Sequence, residues 1–483
     1  MGYRTVKGAA VKALVRCGWL LFVLAPGAVA QPQVLTAQEV REDVDQFQLE
    51  LEQRAAYLKP GNPDYRSALE AIRAKGAAGL TVYQLGIEID KVLALLIDSH
   101  SAAGYAVPVG YLPFWMDDSR GRAVAFWPDR SGFVDSDFPF VSRIDGRTIG
   151  EWVEALKVVV PRGSPQYVRR YGLWLLILIQ YARDVVGDDR SAGVLVELES
   201  GDGAAHKALS LSVATRYPAV SVWPATSSEI LPGNIGYLRL IGMWDEAARA
   251  EIVQWMPRFR STAGLIIDIR DIGGGDRDVL RTLYPYLVRA RDRPRVANVA
   301  KYRLSPTFGP DHLASRRIFR WDWSGWTFAD RLAIAELMAT FAPEWEPPAG
   351  EFSDWHFWVL SKRLDPAAYD YSGPVVFLTN EQNGSASDVI LSAVKGLRRV
   401  TIVGRPSLGA SGAYVETTLP HSGIRLRLSS MASFQRDGRF YEGHGVEPDV
   451  YVDVEPEFLV GIGPDTELQA AIDVIRRTVG RAW

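Results

Sequence analysis

Cysteine is almost absent from this chain. Among 483 residues only Cys17 carries a thiol, and it lies in an N-terminal segment that we expect to be removed. A mature chain without cysteine can form no disulfide, no thiolate metal site and no thiol nucleophile. Runs of Lys and Arg are also lacking, and the formal net charge is -3. The composition therefore does not favour a nucleic-acid-binding protein.

A long apolar segment is lacking too. The apolar stretch at residues 19–29 follows four basic residues and is too short for a transmembrane helix. Residues 28–30 form an A-x-A cleavage signal before Gln31. We therefore predict a signal peptide at residues 1–30 and a mature protein in the periplasm or secreted. An uncleaved anchor is the alternative.

The two regions after this leader differ in the spacing of their apolar residues. Residues 31–104 carry apolar side chains at helical spacing, which predicts a small helical region that ends near His100. Residues 105–215 contain short apolar runs separated by turns, for example the Asp145-Gly146 pair. Such a pair is typical of a β-hairpin turn, so this region is predicted to be rich in strands.

The remainder of the chain predicts an α/β core. Predicted strands and helices alternate through residues 216–465, with an irregular insert at about 290–370, and residues 466–483 are predicted to form a C-terminal helix. Several tryptophans cluster between Trp321 and Trp358. We interpret them as the packing of the insert, with a substrate groove as the alternative.

Two strand-to-helix turns in the core contain the residues that we consider as candidates for catalysis. One contains the three glycines 273–275, and the other places Ser385 at the start of a helix after a strand at 375–378. Backbone N–H groups at such a helix start can stabilise an oxyanion. Taken alone, Ser385 is better explained as a helix cap, since capping serines far outnumber nucleophiles, and the glycines can form a phosphate loop or a plain turn.

Five core motifs follow one another in an order that resembles peptidase family S41, which holds the tail-specific and C-terminal processing proteases and their tricorn-like relatives. In order, the motifs are Asp268-x-Arg270 before the triple glycine, 373–378, 384–388, 402–409 and 443–449. The resemblance covers residues 216–455. It implies a crotonase-like core of stacked ββα units, and it implies that residues 105–215 are a diverged PDZ-like domain.

The chain departs from the processing-protease branch at the catalytic base. Those enzymes use a Ser–Lys dyad in which the lysine follows the glycine that is Gly409 here. This chain has Ala410 at that position and no lysine in residues 396–455. The asparagine that usually precedes the triple glycine is Ile272. We therefore do not expect a Ser–Lys mechanism.

The tricorn-like branch implies a different base. Its members are similar to this chain in having Ser-His at the end of an N-terminal helix, here Ser99-His100, and a Glu three residues before a motif glycine, here Glu442. The resemblance implies Ser385 as nucleophile, His100 as base, and Ser99 with Glu442 as orienting residues. A histidine base predicts an apparent pKa of about 6–7. The implied oxyanion donors are the N–H groups of Ala386 and of Gly274 or Gly275.

Alternatives remain for each of these residues. His100 is also suited to cap a helix C-terminus, Glu442 to a solvated loop, and His444 is a rival base. The other histidines have no metal-ligand spacing, and no metal or cofactor is predicted. Asp268 and Arg270 are interpreted as braces of the core.

The sequence therefore predicts an exported serine endopeptidase-like hydrolase that acts on polypeptides. Two alternatives stay open on the same scaffold. One is a catalytically silent protein that binds a peptide or a lipid, and the other is an esterase that uses the same residues.

Overall fold

The computed structural model describes residues 33–61, 63–242 and 246–480. The predicted leader and Cys17 lie outside the described residues, so cleavage and export stay predictions. Within the described ranges, no helix combines the length and the apolar character that a bilayer crossing needs. The fold is mixed α/β, which confirms the predicted class.

Helices and strands alternate along most of the chain. The helices are α1 (Ala37–Arg54), α2 (Tyr65–Lys75), α3 (Val82–Leu93), α4 (Ile149–Leu156), α5 (Pro165–Ile177), α6 (Ile179–Val186), α7 (Glu246–Phe259), α8 (Asp278–Leu287), α9 (Phe328–Met338), α10 (Ala386–Val394), α11 (Pro456–Leu459) and α12 (Thr466–Gly480). The strands are β1 (Val34–Leu35), β2 (Leu80–Thr81), β3 (Ala102–Gly104), β4 (Trp115–Ser119), β5 (Arg122–Phe126), β6 (Phe140–Ile144), β7 (Arg147–Thr148), β8 (Gly193–Glu199), β9 (His206–Ser212), β10 (Glu229–Leu231), β11 (Ile235–Arg239), β12 (Gly264–Asp268), β13 (Arg295–Tyr302), β14 (Phe319–Arg320), β15 (His356–Leu360), β16 (Val375–Thr379), β17 (Val400–Gly404), β18 (Tyr414–Thr418), β19 (Arg425–Ser429), β20 (Met431–Phe434) and β21 (Val450–Tyr451).

The N-terminal region is helical, as its periodicity predicted. Helices α1 and α3 begin with capping boxes at Thr36 and Thr81, where the threonine hydroxyl accepts the N–H three residues on. Helix α3 is capped at Ala94 and does not reach the predicted end near His100. His100 therefore lies in the loop between α3 and β3, and the interpretation of His100 as a helix cap is wrong.

The strand-rich region forms an antiparallel sheet in the order β4-β5-β6-β8-β9, with β7 paired to β6. Asp145 and Gly146 make the predicted hairpin turn with φ of 48° and 79°. Two helices, α5 and α6, follow one another in this region, and they are separate because the backbone leaves helical geometry at Leu178 (φ -89°, ψ 59°).

The central sheet has the order β10-β11-β12-β16-β17-β21, and it is parallel from β11 onward. Since β12 and β16 are parallel neighbours, the loops at their carboxyl ends lie side by side. These loops are the triple-glycine turn and the turn that ends at Ser385. The alternation of strand and helix thus brings the two predicted turns to one edge of the sheet.

The segment expected to be an irregular insert is ordered into a sheet. Strands β13, β14 and β15 form one sheet with β20, in the order β14-β15-β13-β20. Helix α9 lies in the same segment. Trp326 is buried, and Trp345 and Trp355 pack against the same aromatic cluster, whereas Trp321 is 60% exposed. Most of the tryptophans that we interpreted as packing are therefore packed.

A small antiparallel sheet joins the N-terminal region to the core. Strand β3 pairs with β19, which in turn pairs with β18. The register places Ala102 opposite Arg427. Because β3 begins two residues after His100, this pairing places the His100 loop against the core.

Candidate active site

Ser385 occupies a strained turn between β16 and α10. Its φ of 57° and ψ of -119° are rare for a residue other than glycine. Among the described residues, no backbone N–H of α10 bonds to the Ser385 side chain, so this serine does not act as a capping side chain. Backbone strain of about 1–3 kcal/mol, held by surrounding structure, is typical of functional sites.

Three consecutive residues, 410–412, contact three of the four residues predicted for catalysis. The Ser385 N–H donates to the Ala410 carbonyl at 2.5 Å. The Ser411 N–H donates to Glu442 Oε1 at 2.7 Å, and the Gly412 N–H donates to His100 Nδ1 at 3.3 Å. This segment therefore brings Ser385, Glu442 and His100 together, although they come from distant parts of the chain.

His100 and Glu442 meet directly. His100 Nδ1 lies 3.5 Å from Glu442 Oε1, and both side chains are fully buried. The other carboxylate oxygen of Glu442 accepts the Tyr57 hydroxyl at 3.0 Å. Burial, and then the nearby Asp98, raises the pKa of Glu442 well above its usual range. Glu442 is therefore not a solvated loop carboxylate, and that interpretation is wrong.

The burial of His100 changes the expected pH dependence. Desolvation, and then Arg316, Arg427 and Arg277, hold the pKa of His100 well below its ordinary value of 6.5. A general base must be neutral, and a lowered pKa keeps the imidazole neutral at mildly acidic pH. We expect the rate of Ser385 labelling by a fluorophosphonate to be constant from about pH 7.5 to about pH 6.5 and to fall only below that range. The measurement is the labelling rate against pH, with circular dichroism at each pH as the control for acid unfolding. A midpoint at 6.5 or higher would contradict the effect of burial.

Ser99 and Asp98 hold the His100 loop. The Ser99 hydroxyl donates to the Gly409 carbonyl at 3.4 Å, which links the loop to the segment before Ala410. Asp98, which the sequence analysis did not single out, accepts the N–H groups of His100 at 3.0 Å and Ser101 at 3.2 Å. An aspartate two residues before a candidate base is a local pattern that could have indicated this role.

Asp388 supports the segment that contacts Ser385. Its buried carboxylate accepts the N–H groups of Gly409 at 3.2 Å and Ala410 at 2.8 Å, and also the Ser407 hydroxyl. Burial raises the pKa of Asp388 to about 7. In the sequence Asp388 is part of the 384–388 motif, and its position one helical turn after Ser385 could have indicated this positioning role.

The triple glycine packs against the serine. A Cβ at Gly274 would lie 2.5 Å from Ser385 Cβ, and the φ of Gly274 is 117°. Gly275 has a φ of 142°, and Ala386 is the first residue of α10. Only glycine permits an approach this close at such a φ. Gly274 and Ala386 therefore flank Ser385, while Gly275 is the next residue along the same turn.

Two further residues considered in the sequence, His444 and Arg270, lie outside this group. His444 Nε2 pairs with Glu344 at 2.9 Å, and its side chain is 40% exposed. Arg270 bonds to Asp268, Asp465 and Glu467 in a buried network, which agrees with its interpretation as a brace of the core.

One group of described residues has the composition of a metal site. Ligand atoms of Asp98, His100 and Glu442 lie within 4.8 Å of one another, and all three residues are buried. Each of them already accepts backbone N–H groups. We attribute the cluster to these hydrogen bonds.

Comparison with known proteins identifies part of the chain. The profile of peptidase family S41 matches residues 234–452. A segment of 84 residues is 33% identical to a Chlamydia pneumoniae protein and covers 17% of this chain and 14% of that protein. A segment of 80 residues is 31% identical to a carboxy-terminal-processing protease of Bartonella bacilliformis and covers 17% of this chain and 18% of the protease. The matched segments thus span less than a fifth of either relative.

The fold is shared more widely than the sequence. The crystal structure of mature CPAF superposes on this chain with a TM-score of 0.61 and a sequence identity of 15%. The alignment covers 92% of this chain and 96% of that chain. This likeness concerns the fold alone, and it extends beyond the segment that the family profile matches. Residues 234–452 therefore match peptidase family S41 both in the family profile and in the order of the motifs.

Proposed function

We propose that this chain is an exported serine endopeptidase-like hydrolase that cleaves polypeptides, with Ser385 as nucleophile and His100 as general base. The observation that carries the proposal is the 410–412 segment, whose three residues bond to Ser385, Glu442 and His100. The strained backbone of Ser385 adds support. A protein that only binds peptides needs neither feature.

The proposed reaction is acyl transfer. Ser385 Oγ attacks the peptide carbonyl carbon while its proton passes to the unprotonated nitrogen of the His100 imidazole, and the N–H groups of Ala386 and of Gly274 or Gly275 stabilise the oxyanion. The C–N bond breaks as the imidazolium gives its proton to the leaving amine. Water, deprotonated by His100, then hydrolyses the acyl-enzyme. Glu442 stabilises the imidazolium that forms, and Ser99 holds the loop.

We place the chain nearer to the tricorn-like Ser-His-Glu branch, because Ala410 cannot accept a proton. We also propose a diverged PDZ-like domain at 105–215 and a crotonase-like core at 216–465. Export to the periplasm or the medium is proposed from the leader at 1–30, with the helical region 31–104 as the start of the mature chain.

Labelling tests the nucleophile directly. A fluorophosphonate probe is expected to modify the folded protein once, and peptide mapping is expected to place the label on Ser385. Ser387→Ala is a matched control, since this serine lies two positions on and bonds to the Ile272 carbonyl instead. Folded protein that takes no label, or a label that maps elsewhere, would contradict the proposal. The same outcome would favour a silent peptide- or lipid-binding protein.

Glu442→Gln tests the orienting role. Glutamine keeps one acceptor oxygen for the Ser411 N–H, so we expect the fold to survive. Loss of the charge that supports the imidazolium is expected to lower kcat by a factor on the order of 10–10⁴, with little change in KM. Steady-state kinetics and a thermal melt measure both effects. A variant with wild-type kcat would remove Glu442 from the mechanism.

A further inference from the structure

A narrow cleft lies beside His100, between α5 and the loops of the core. One wall is a face of α5 made by Tyr167, Tyr171 and Trp174. Their rings follow one another at 5.5 and 5.2 Å between centroids. Leu408 also lines the cleft. Spacings of four and three positions put the three aromatic side chains on one side of the helix, so the interior of the cleft is apolar.

The charged residues of the cleft are compensated by partners outside it. Each of the two arginines lies within 3 Å of a carboxylate, and the aspartate accepts an amide N–H. The contacts are Arg170 with Asp117 at 2.6 Å, Arg427 with Glu416 at 2.9 Å, and Asp271 with Asn380 at 2.9 Å. Both arginine charges are therefore paired, and the cleft offers no free cation to an acidic side chain.

The size of the cleft limits what it can hold. Its volume is about 70 Å³, and a buried water needs roughly 15 Å³ on the same measure. The cleft thus accepts about five non-hydrogen atoms. This matches the side chain of leucine, isoleucine or methionine. Alanine would leave most of the space empty, and the indole of tryptophan would not fit.

The cleft also lies next to the reacting groups. Ser99 and His100 line one end, and Gly273 and Gln382 belong to the two turns that surround Ser385. A side chain held in the cleft would therefore keep its own backbone near the Ser385 hydroxyl.

We infer that this cleft is a specificity pocket, which receives a medium-sized aliphatic side chain of the polypeptide at a position flanking the scissile bond. The inference rests on the proposed peptidase function, since it names the substrate class of the same site. Tyr171, which is half-buried on the α5 wall, is the residue through which the pocket can be resized.

The test uses the full chain and synthetic peptides of randomised sequence, with cut sites identified by mass spectrometry. We expect one position near the cut to be enriched at least about tenfold in Leu, Ile and Met over Ala, because a pocket discriminates by about that factor per methylene. Tyr171→Ala enlarges the pocket and is expected to shift the preference to Phe and Trp. Tyr171→Trp fills it and is expected to reduce cleavage at Leu at least about tenfold.

Controls separate this inference from the proposed function. Tyr451→Ala removes the same side chain at a site that is 62% exposed and outside the cleft, and its cleavage profile should equal that of the wild type. Fluorophosphonate should still label Ser385 in both Tyr171 variants, which shows that the nucleophile is intact. Labelled, active protein without an aliphatic preference, or with a preference that Tyr171→Ala leaves unmoved, overturns the specificity pocket alone. Folded protein that neither labels nor cleaves overturns the proposed function and the pocket with it.

Discussion

Ser385→Ala and His100→Ala are each expected to lower kcat/KM by a factor on the order of 10⁴ or more. The expectation follows from the proposed roles of the two residues, and the Ala410–Gly412 segment bonds to both of them. The double variant should be little worse than either single variant, since members of a catalytic unit are strongly non-additive. Steady-state kinetics on a peptide found in the cut-site screen measures all three.

The matched control for His100 is His444, the rival base. His444 pairs with Glu344 at the surface, and His444→Ala should keep kcat/KM within about twofold of the wild type. His100 is fully buried, so its replacement can also destabilise the protein. For this reason His100→Gln, which is closer in volume, is tested beside it, with melting temperatures for each variant. A stable His100 variant with wild-type turnover would show that the imidazole is not the base.

The sequence alone predicts the nucleophile turn because that turn is local. A buried strand was predicted at 375–378 and is observed at Val375–Thr379, and the helix after it begins at Ala386 beside Ser385. Alternating apolar runs, a glycine and a serine at a helix start all lie within one short window. The conformation of Ser385 was not predictable in this way, because its φ depends on the Gly274 turn packed against it.

The surroundings of His100, the predicted base, could not be predicted because they are formed by residues that are distant in the sequence. Tyr57 reaches Glu442 across 385 positions, and Tyr57 lies in the irregular segment after α1, where no periodicity points inward. His100 enters the site through the pairing of β3 with β19. The partners of a three-residue strand cannot be read from its own sequence. As a result, the full burial that lowers the pKa of His100 could not be foreseen.

The role of Ala410 in the structure differs from what its identity indicates in the sequence. In the sequence it indicates only that a lysine is missing. In the structure its carbonyl accepts the Ser385 N–H, and its own N–H donates to Asp388. Both contacts use the backbone, so any side chain could make them. Backbone contacts of this kind leave no pattern of residue types, which is why the 410–412 segment was not predicted.

The insert was misjudged for a related reason. Strand β13 pairs with β15 and with β20, which lies well beyond the segment in the sequence. The aromatic cluster on this sheet takes Phe434 and Phe440 from the core. Without these distant partners the segment has turns and single tryptophans but no repeated pattern, so its sequence indicates irregular structure.

Gly274→Ala is expected to lower kcat/KM by a factor on the order of 10²–10³, the loss that follows removal of one oxyanion donor. The new Cβ would lie 2.5 Å from Ser385 Cβ, 3.0 Å from the Gly384 carbonyl oxygen and 3.2 Å from Ser385 Oγ. At a φ of 117° alanine is also strained, at about 1–3 kcal/mol. The turn must therefore move away from the serine, and the N–H groups of the turn move with it. Kinetics and a thermal melt on the same sample measure the two effects.

Gly187→Ala is the control that introduces backbone strain without any contact with Ser385. Gly187 has a φ of 81° at the end of α6, and a Cβ there would meet no described heavy atom within 4 Å. This variant should lose about 1 kcal/mol of stability and no activity, because the left-handed backbone is disfavoured but nothing near Ser385 shifts. If Gly274→Ala and Gly187→Ala both melt slightly lower and both keep wild-type kcat/KM, then the triple-glycine turn does not shape the oxyanion site. If only Gly274→Ala loses turnover, the loss belongs to the contact with Ser385, since both substitutions introduce the same side chain at a positive φ.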